Sequence, residues 1–172
     1  MKVTYLVFNT SLGWMGIMDS QAGLRKLVLP QPSRLRAWHL LNEFTLKWHN
    51  QTLTKDETNY FGELPQRIKR YLSGKSVNFS DRLDLFWASP FQRKVWEITQ
   101  FIPYAETRTY AWVAGKIGIA RATRAVGQAL ARNPLPIIIP CHRVICSDGS
   151  LGGFSDGKLW KRRLLKLEAK AT

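Results

Sequence analysis

Two residues capable of covalent chemistry, Cys141 and His142, stand side by side in the stretch PCHRVIC, residues 140–146. A nearby histidine stabilises the nucleophilic thiolate form of a cysteine and lowers a thiol pKa that is otherwise about 8.5. In an extended strand, adjacent side chains point to opposite faces, so these two would interact only across a turn or through a bridging water. The stretch allows three interpretations: an activated nucleophile, part of a metal site, or an inert buried cysteine.

The remaining cysteine and histidines bear on the metal interpretation. Cys146 is the second of two cysteines, and His39 and His49 lie far from PCHRVIC in the sequence. A structural zinc ion requires four ligands at suitable spacing, which this arrangement does not offer. Two cysteines so close together also do not make a disulfide framework. We predict that the protein holds no metal and needs no cofactor.

A carboxylate that could orient the histidine occurs near the end of the chain. Residues 158–169 are predicted to form a helix whose apolar side includes Leu164 and Leu165, and Glu168 falls on that side. A carboxylate directed at a core normally has a cationic or hydrogen-bonding partner. Glu168 is therefore a candidate third member of the site, and the alternative is a glutamate that reaches solvent from the helix end.

The charge of the chain favours a polyanionic partner. Its 26 basic and 12 acidic residues give a formal net charge of +14. Residues 87–172 carry 14 of the basic and only 5 of the acidic side chains. This excess is typical of nucleic-acid-binding proteins, although a basic protein kept soluble by its charge has the same composition.

The elements around these residues have the outline of a helix-turn-helix. Ser89 and Pro90 are predicted to start a helix over FQRKVWEITQF, and Thr109 to cap a second helix over TYAWVAGKI. The turn GIA leads to a third helix over RATRAVGQALAR, and the last two helices form the motif. One side of the third helix is polar and flanked by small residues, so it is predicted to face DNA, with a solvated face as the alternative. That side consists of Arg121, Arg124, Gln128 and Arg132.

The first 85 residues are predicted to form a separate α/β part. Residues 2–9, 12–18 and 24–29 alternate or run apolar between turn-like segments and indicate a small antiparallel sheet. Helices are predicted over residues 34–50 and 56–72, the second ending at Ser73 and Gly74. Residues 77–86 indicate an extended linker or edge strand, and LPIIIP before Cys141 indicates a buried strand limited by its prolines.

The sequence predicts neither a membrane span nor a secretion signal. No apolar run is long enough to cross a bilayer. The N-terminal MKVTYLVFNTSLGW lacks a small-residue cleavage pattern and is better explained as a first strand. We expect a cytoplasmic protein, associated with the nucleoid, or a nuclear one if the source is eukaryotic.

The segment from Phe91 to Glu168 closely resembles the active-site region of the O6-alkylguanine-DNA alkyltransferases. The resemblance is carried by FQRKVWE, TRTYAWVA, RAVG, NP and PCHRV, followed by GGFS. It implies an α+β protein with two domains. Residues 1–85 would form a small antiparallel sheet with helices, ribonuclease H-like, and residues 86–172 a helical domain with a helix-turn-helix for DNA binding and alkyl transfer.

The resemblance also implies a reaction and a role for each matching residue. An alkyl group moves irreversibly from the 6-oxygen of guanine in duplex DNA to Cys141. His142 deprotonates the thiol through a water, Glu168 orients the histidine, and Asn133 supports the turn that holds the cysteine.

Other matching residues would handle the DNA, because a base must leave the stack before it can react. Arg124 would enter the minor groove and fill the space of the flipped nucleotide, and Tyr110 would rotate the target's phosphate and donate a proton to guanine. The remaining DNA contacts are Arg121, Gln128 and Ala125, and the pocket is lined by Leu130, Val144, Phe154 and Ser155. The protein would act as a monomer in solution, with cooperation along DNA left open.

The chain departs from the pattern of the family in three respects. Phe154 stands where members often have tyrosine, which leaves the polarity of the pocket open. Asp156 stands where some members have glycine, which affects access for bulky alkyl groups. Some members bind zinc in the N-terminal part, but this chain has no cysteine before Cys141.

Two other functions are consistent with the residues. A helix-turn-helix protein that binds DNA or recognises lesions without chemistry would leave the alkyl group on the DNA and Cys141 unmodified. A cysteine hydrolase would form more than one product per molecule, but the adjacency of Cys141 and His142 does not favour a direct dyad.

Overall fold

A computed structural model describes residues 2–46, 52–57 and 59–169. The chain divides into two compact units, Met1–Leu85 and Phe86–Thr172. The architecture is mixed, with a small sheet in the first unit and mainly helices in the second, so the predicted α+β class is confirmed. None of the helices in these described ranges has the length and apolarity that crossing a membrane requires.

The first unit is built on a four-stranded sheet with the order β3-β2-β1-β4. Its strands are β1 (Lys2–Thr10), β2 (Gly13–Ser20), β3 (Gly23–Gln31) and β4 (Thr52–Lys55). The first three strands pair antiparallel, as predicted. β4 was not predicted and pairs parallel with β1, because the chain crosses over through a helix before it returns to the sheet.

Helix α1 (Arg34–Thr45) makes that crossover. The Ser33 hydroxyl caps it by accepting the Arg36 N–H at 3.1 Å. The helix lies so close to the sheet that a Cβ on Gly16 would come within 2.7 Å of a Leu41 methyl carbon. The predicted helix continued to residue 50, but α1 ends at Thr45, and residues 47–50 lie outside the described residues.

The second predicted helix was too long at its N-terminal end. α2 covers Leu64–Leu72, whereas the prediction began at residue 56. Residues 60–63 form a turn in which the Asp56 carboxylate accepts the Tyr60 N–H at 3.0 Å, so this aspartate organises a turn instead of a helix. The helix ends at Leu72 with Ser73 as its C-cap, as predicted. Residues 77–86 have no regular secondary structure apart from a bridge at Leu83 and a turn that begins at Phe86.

The second unit contains the predicted helices. They are α3 (Pro90–Gln100), α4 (Tyr110–Lys116), α5 (Thr123–Ala131) and α6 (Lys158–Ala169), with a short parallel pair β5 (Arg108–Thr109) and β6 (Val144–Ile145). The predicted caps Ser89 and Thr109 are both present. Buried Trp96 on α3 donates its indole N–H to the Ala129 carbonyl at 2.9 Å, which fixes α3 to the last turn of α5.

The segment before Cys141 is a buried turn and not the predicted strand. Pro136 and Ile139 form an isolated bridge, and the Ile139 N–H bonds to the Leu135 carbonyl at 2.8 Å. Ile137 has a φ of 76°, which a strand does not allow. Pro136 and Pro140 lack the backbone N–H that a strand would donate to its neighbour. The apolar run therefore forms a turn, and Cys141, which follows it, is buried.

Candidate active site

Cys141 is the first residue of a 3₁₀ turn, Cys141–Arg143. The Arg143 N–H bonds to the Pro140 carbonyl at 2.9 Å, and the Val144 N–H bonds back to the Cys141 carbonyl. The extended geometry considered for Cys141 and His142 is therefore wrong, and the objection that their side chains must point to opposite faces does not apply. Cys141 is only 3% exposed, so its thiol is nearly inaccessible to solvent.

Asn133 holds both the turn and the thiol. Its side-chain N–H₂ donates to the Ile139 carbonyl at 2.8 Å and to Cys141 Sγ at 3.0 Å. Its side-chain oxygen accepts the Leu135 N–H at 3.0 Å. Because all of these atoms are buried, the amide has a single orientation, and its donor stabilises negative charge on sulfur.

The thiol is nevertheless a weak acid in this environment. Burial raises the pKa of Cys141 to about 11, although the hydrogen bond from Asn133 and the charge of Lys161 act in the opposite direction. At neutral pH the sulfur is therefore protonated. A nucleophilic role requires a base that removes this proton during the reaction.

His142 and Glu168 form a buried pair next to the cysteine. His142 Nε2 lies 2.8 Å from Glu168 Oε1, and the two residues are 0% and 1% exposed. Burial lowers the pKa of His142, against the opposing effect of the Glu168 carboxylate. The imidazole is therefore neutral at pH 7, and a neutral ring that donates from Nε2 has Nδ1 as its basic nitrogen.

Glu168 has three donors besides the histidine. Arg143 donates from Nε to Oε2 at 3.0 Å and from Nη2 to Oε1 at 2.9 Å. The Ala105 N–H donates to Oε2 at 3.1 Å. Arg143 is itself anchored by a 2.6 Å bond from Nη1 to the Ile102 carbonyl. The carboxylate thus connects α6, the 3₁₀ turn and the loop between α3 and α4.

The charge state of Glu168 follows from these contacts. Burial alone would raise its pKa, but the hydrogen bonds from His142 and Arg143 outweigh that effect and hold the pKa at about 2. The carboxylate is ionised throughout the physiological range. It can therefore stabilise a positive charge that develops on His142, although it shares its own charge with Arg143.

Tyr110 lies at the N-terminus of α4, beside the loop that follows β6. Its hydroxyl donates to the Gly153 carbonyl at 3.5 Å. A Cβ on Gly152 would lie only 2.8 Å from the Tyr110 hydroxyl oxygen. Gly152 also has a φ of 67°, so a side chain at this position would strain the backbone and collide with the phenol. Burial raises the pKa of Tyr110 to about 12, so the phenol keeps its proton at neutral pH.

Lys161 on α6 also contacts Tyr110 and is fully buried. Its ammonium donates to the Val144 carbonyl at 2.6 Å and, more weakly, to the Gly153 carbonyl and the Tyr110 hydroxyl, both at 3.3 Å. Burial lowers its pKa to about 8. The predicted site therefore gains a cation that the sequence analysis did not include.

The polar side of α5 is exposed, as its spacing predicts. Its opposite side is buried and consists of Val126, Ala129 and Leu130. The exposed residues on and next to the helix are Arg121, Arg124, Ala125, Gln128 and Arg132. Their contact with DNA stays a prediction at this point.

The predicted pocket residues divide into a buried and an accessible group. Leu130 and Val144 are buried, at 5% and 0% exposure. Phe154 is half-buried, and Ser155 is exposed with its hydroxyl bonded to Asp156 at 2.9 Å. The loop that carries Phe154 and Ser155 follows the cysteine segment directly, so it lies beside Tyr110 and Lys161.

Metal-binding groups are not assembled in the described ranges. No three histidine, cysteine or acidic side chains there are arranged to hold an ion. His39 is exposed on α1, in the first unit, and His49 lies outside the described residues. Within the described ranges, the hydrogen bond at Cys141 Sγ comes from the neutral amide of Asn133.

The sequence analysis missed two members of the site. Arg143 was part of the quoted PCHRV stretch, and a carboxylate on an apolar helix face calls for a cation, so its pairing with Glu168 had a signal. Lys161 precedes Leu164 by three residues and Glu168 by seven, which places all three on one side of the helix. Lysine is so rarely buried that the spacing alone did not identify it.

Comparison with known proteins assigns the class of this unit. The family model described as 6-O-methylguanine DNA methyltransferase, DNA binding domain, matches residues 90–170. Methylated-DNA–protein-cysteine methyltransferase of Methanosarcina barkeri is 48% identical over 113 residues, or 66% of this chain and 71% of that protein. The constitutive methylated-DNA–protein-cysteine methyltransferase of Bacillus subtilis is 36% identical over 156 residues, covering 90% and 87% of the two chains.

The structural comparison includes both units. The crystal structure of Mycobacterium tuberculosis OGT in complex with DNA matches with a TM-score of 0.78 and 33% identity, over 98% of this chain and 94% of that chain. The chain belongs to the methylated-DNA–protein-cysteine methyltransferase family.

Proposed function

We propose that this protein repairs DNA directly, by moving an alkyl group from the 6-oxygen of guanine in duplex DNA to Cys141. A sulfur–carbon bond forms as the carbon–oxygen bond breaks, the electron pair stays on guanine, and guanine takes up a proton. The thioether has no route back to a thiol, so each molecule acts once. The observation that carries the proposal is the buried Cys141 thiol, held by Asn133 and adjacent to the His142–Glu168 pair.

Activation of the thiol falls to His142. Because Nε2 bonds to Glu168, Nδ1 is the nitrogen that accepts the proton, through a bridging water. The ionised Glu168 then stabilises the imidazolium ion. Asn133 supports the thiolate directly, since its N–H₂ is 3.0 Å from the sulfur.

The burial of Cys141 requires that the base come to the protein. A thiol that is 3% exposed cannot reach a guanine inside the duplex, so the nucleotide flips out of the stack. Arg124, on the exposed side of α5, enters the minor groove and fills the vacated space, with Arg121, Gln128 and Ala125 beside it. Tyr110 turns the target phosphate and protonates the guanine.

The pocket proposed to receive the base combines buried and accessible residues. Leu130 and Val144 supply buried apolar contacts, and the loop with Phe154 and Ser155 contacts the guanine edge. The net charge of +14 supports a DNA partner, and a relative of the same fold is described as a complex with DNA. We propose that a monomer binds each lesion.

Mass spectrometry tests the proposed function. The protein is incubated with a duplex that contains one O6-methylguanine, and we expect a gain of one methyl group per chain, mapped to Cys141. The number of repaired lesions should equal the number of protein molecules. Repair beyond one lesion per molecule, or loss of the lesion with the protein unmodified, would contradict it.

Arg124→Ala is expected to separate flipping from chemistry. Base extrusion costs a few kcal/mol, and each 1.4 kcal/mol is a factor of ten in rate, so repair of methylated duplex should fall by about 100-fold. Reaction with a free O6-alkylguanine base needs no flipping and should keep its rate. Both rates are measured as alkylation of Cys141 over time.

Arg162→Ala is the matched control for this variant. Arg162 is exposed on α6 and its loss removes the same charge. This control should lower duplex binding slightly and leave the rate of transfer from bound duplex unchanged. Equal losses of the two reactions in Arg124→Ala would assign Arg124 a role other than flipping.

A further inference from the structure

Lys161 is a buried cation whose hydrogen bonds all go to uncharged oxygens, and whose ammonium also lies over the Tyr110 ring, 5.5 Å from its centroid. The ammonium bonds to the Val144 and Gly153 carbonyls and to the Tyr110 hydroxyl, and the residue is 0% exposed. Among the ion pairs within residues 2–46, 52–57 and 59–169, none joins Lys161 to a carboxylate. A buried ammonium without a carboxylate is costly for folding, so its presence calls for a functional reason.

The proposed reaction supplies such a reason at the leaving group. When the carbon–oxygen bond breaks, guanine is left with an extra electron pair and must gain a proton. The proposed donor of that proton is Tyr110, whose own pKa is raised by burial to about 12, so a phenolate would be a poor product. Lys161 already donates a hydrogen bond to the same phenol oxygen, at 3.3 Å.

We propose that Lys161 replaces, through this hydrogen bond, the proton that the Tyr110 phenol gives to guanine. This inference rests on the proposed alkyl transfer. The reactants are the Cys141 thiolate, O6-alkylguanine and the Lys161 ammonium, and the products are the Cys141 thioether, guanine with a ring N–H, and the neutral Lys161 amine. Tyr110 is a protonated phenol both before and after the reaction. Lys161 acts through Tyr110 and is a positioning residue in this reaction.

The relative acidities of the two groups agree with this direction of proton flow. Burial lowers the pKa of Lys161 to about 8, which makes its ammonium a much stronger acid than the Tyr110 phenol. The other titratable groups that act on it are the thiols Cys141 and Cys146 and the imidazole of His142. Loss of the charge on sulfur during transfer favours release of the lysine proton, because the cation then loses a neighbouring anion.

Lys161→Met and Lys161→Arg test the inference. General acid catalysis typically contributes 10²–10⁴-fold, so we expect methyl transfer from duplex to slow by about 100-fold in both variants. Arginine keeps the charge and can donate hydrogen bonds, but it does not give up a proton at these pH values. In the wild type the rate should fall as the pH rises above about 8, and this decrease should be absent from both variants.

Two further measurements separate proton supply from structural support. Iodoacetamide alkylates Cys141 with release of iodide, which needs no proton, so its rate at Cys141, followed by peptide mapping, should change far less than methyl transfer. Tyr110→Phe combined with Lys161→Met should be no slower than Tyr110→Phe alone, because both act on one proton. Lys166→Met, an exposed change on the same helix, is the control and should behave as wild type.

Three outcomes would overturn the inference. They are a Lys161→Arg variant with the wild-type rate and pH profile, equal losses of methyl transfer and iodoacetamide reaction, and additive losses in the double variant. Failure of the wild type to acquire a methyl group would instead refute the proposed function. Lys161→Arg retains the buried charge, so it keeps the test informative if Lys161→Met does not fold.

Discussion

Protein with Cys141→Ala binds methylated duplex as wild type does but leaves every methyl group on the DNA. This is the largest effect we expect, because the variant removes the atom that accepts the alkyl group. The fold should be retained, since Asn133 keeps its 2.8 Å bond to the Ile139 carbonyl when the sulfur is lost. Losing one hydrogen bond of this kind costs about 1 kcal/mol.

Intact mass, lesion content and DNA affinity are measured on the same samples. Cys146→Ala is the matched control, because it removes the other thiol and should leave the mass gain in place. Transfer by the Cys141→Ala protein to any other residue would show that Cys141 is not the acceptor. Loss of duplex affinity at constant salt would show that the thiol also contributes to binding.

Glu168→Gln is expected to damage stability and chemistry together. The charge of Glu168 is shared by His142 and Arg143, and Arg143 is only 8% exposed. Breaking a buried ion pair from one side costs about 3–5 kcal/mol, so urea denaturation should show a loss of this size. Alkyl transfer should slow by about 100-fold, the lower range of general acid–base catalysis.

Glu97→Gln is the control for this change. Glu97 pairs with Lys94 on the surface of α3, at 3.2 Å, with 57% of its side chain exposed. An exposed ion pair contributes at most about 1 kcal/mol, so this variant should unfold and react nearly as wild type. A Glu168→Gln protein with wild-type stability and rate would remove Glu168 from the relay.

The free energy of unfolding should depend on pH in acid because of Glu168. Glu168 in the unfolded chain takes up a proton near its usual 4.5, whereas in the folded protein its pKa is about 2. Its contribution, about 3 kcal/mol, is therefore fully present above pH 4.5 and is lost as the pH falls toward 2. Equilibrium unfolding at a series of pH values should show this loss in the wild type and not in Glu168→Gln.

The sequence predicts best those features that depend on neighbours along the chain. Ser89 and Thr109 cap helices because their hydroxyls accept the backbone N–H of the residue three positions ahead. The two sides of α5 follow from the period of a helix, and Val126 is buried while Arg124 is exposed. The burial of Glu168 follows from the same period on α6.

Features that depend on distant partners were predicted less well. Strand β4 has four residues and no strong pattern, and its place is set by pairing with β1. Asp56 could have begun a helix, but its carboxylate bonds to the N–H of Tyr60 in a turn. The 3₁₀ turn at Cys141 depends on Asn133, eight residues earlier, whose bonds close the loop.

The resemblance to a known family supplied what local patterns could not. Spacing alone left Cys141 between an inert and a reactive thiol, and left Glu168 between a member of the site and a glutamate that reaches solvent from the helix end. The structure brings His142 and Glu168 into contact across 26 positions of the sequence. It also shows that Arg143 bonds to Glu168, and that Lys161 is buried with its ammonium bonded to the Val144 carbonyl.

Helix α5 has nine residues, and a helix of that length is marginal in water on its own. It persists because Val126, Ala129 and Leu130 pack inward and Ala129 receives the Trp96 indole N–H. Arg124 and Gln128 are exposed and lie outside that packing. Substitutions on the outer side of α5, the side proposed to face DNA, are therefore expected to change DNA recognition without loss of the scaffold.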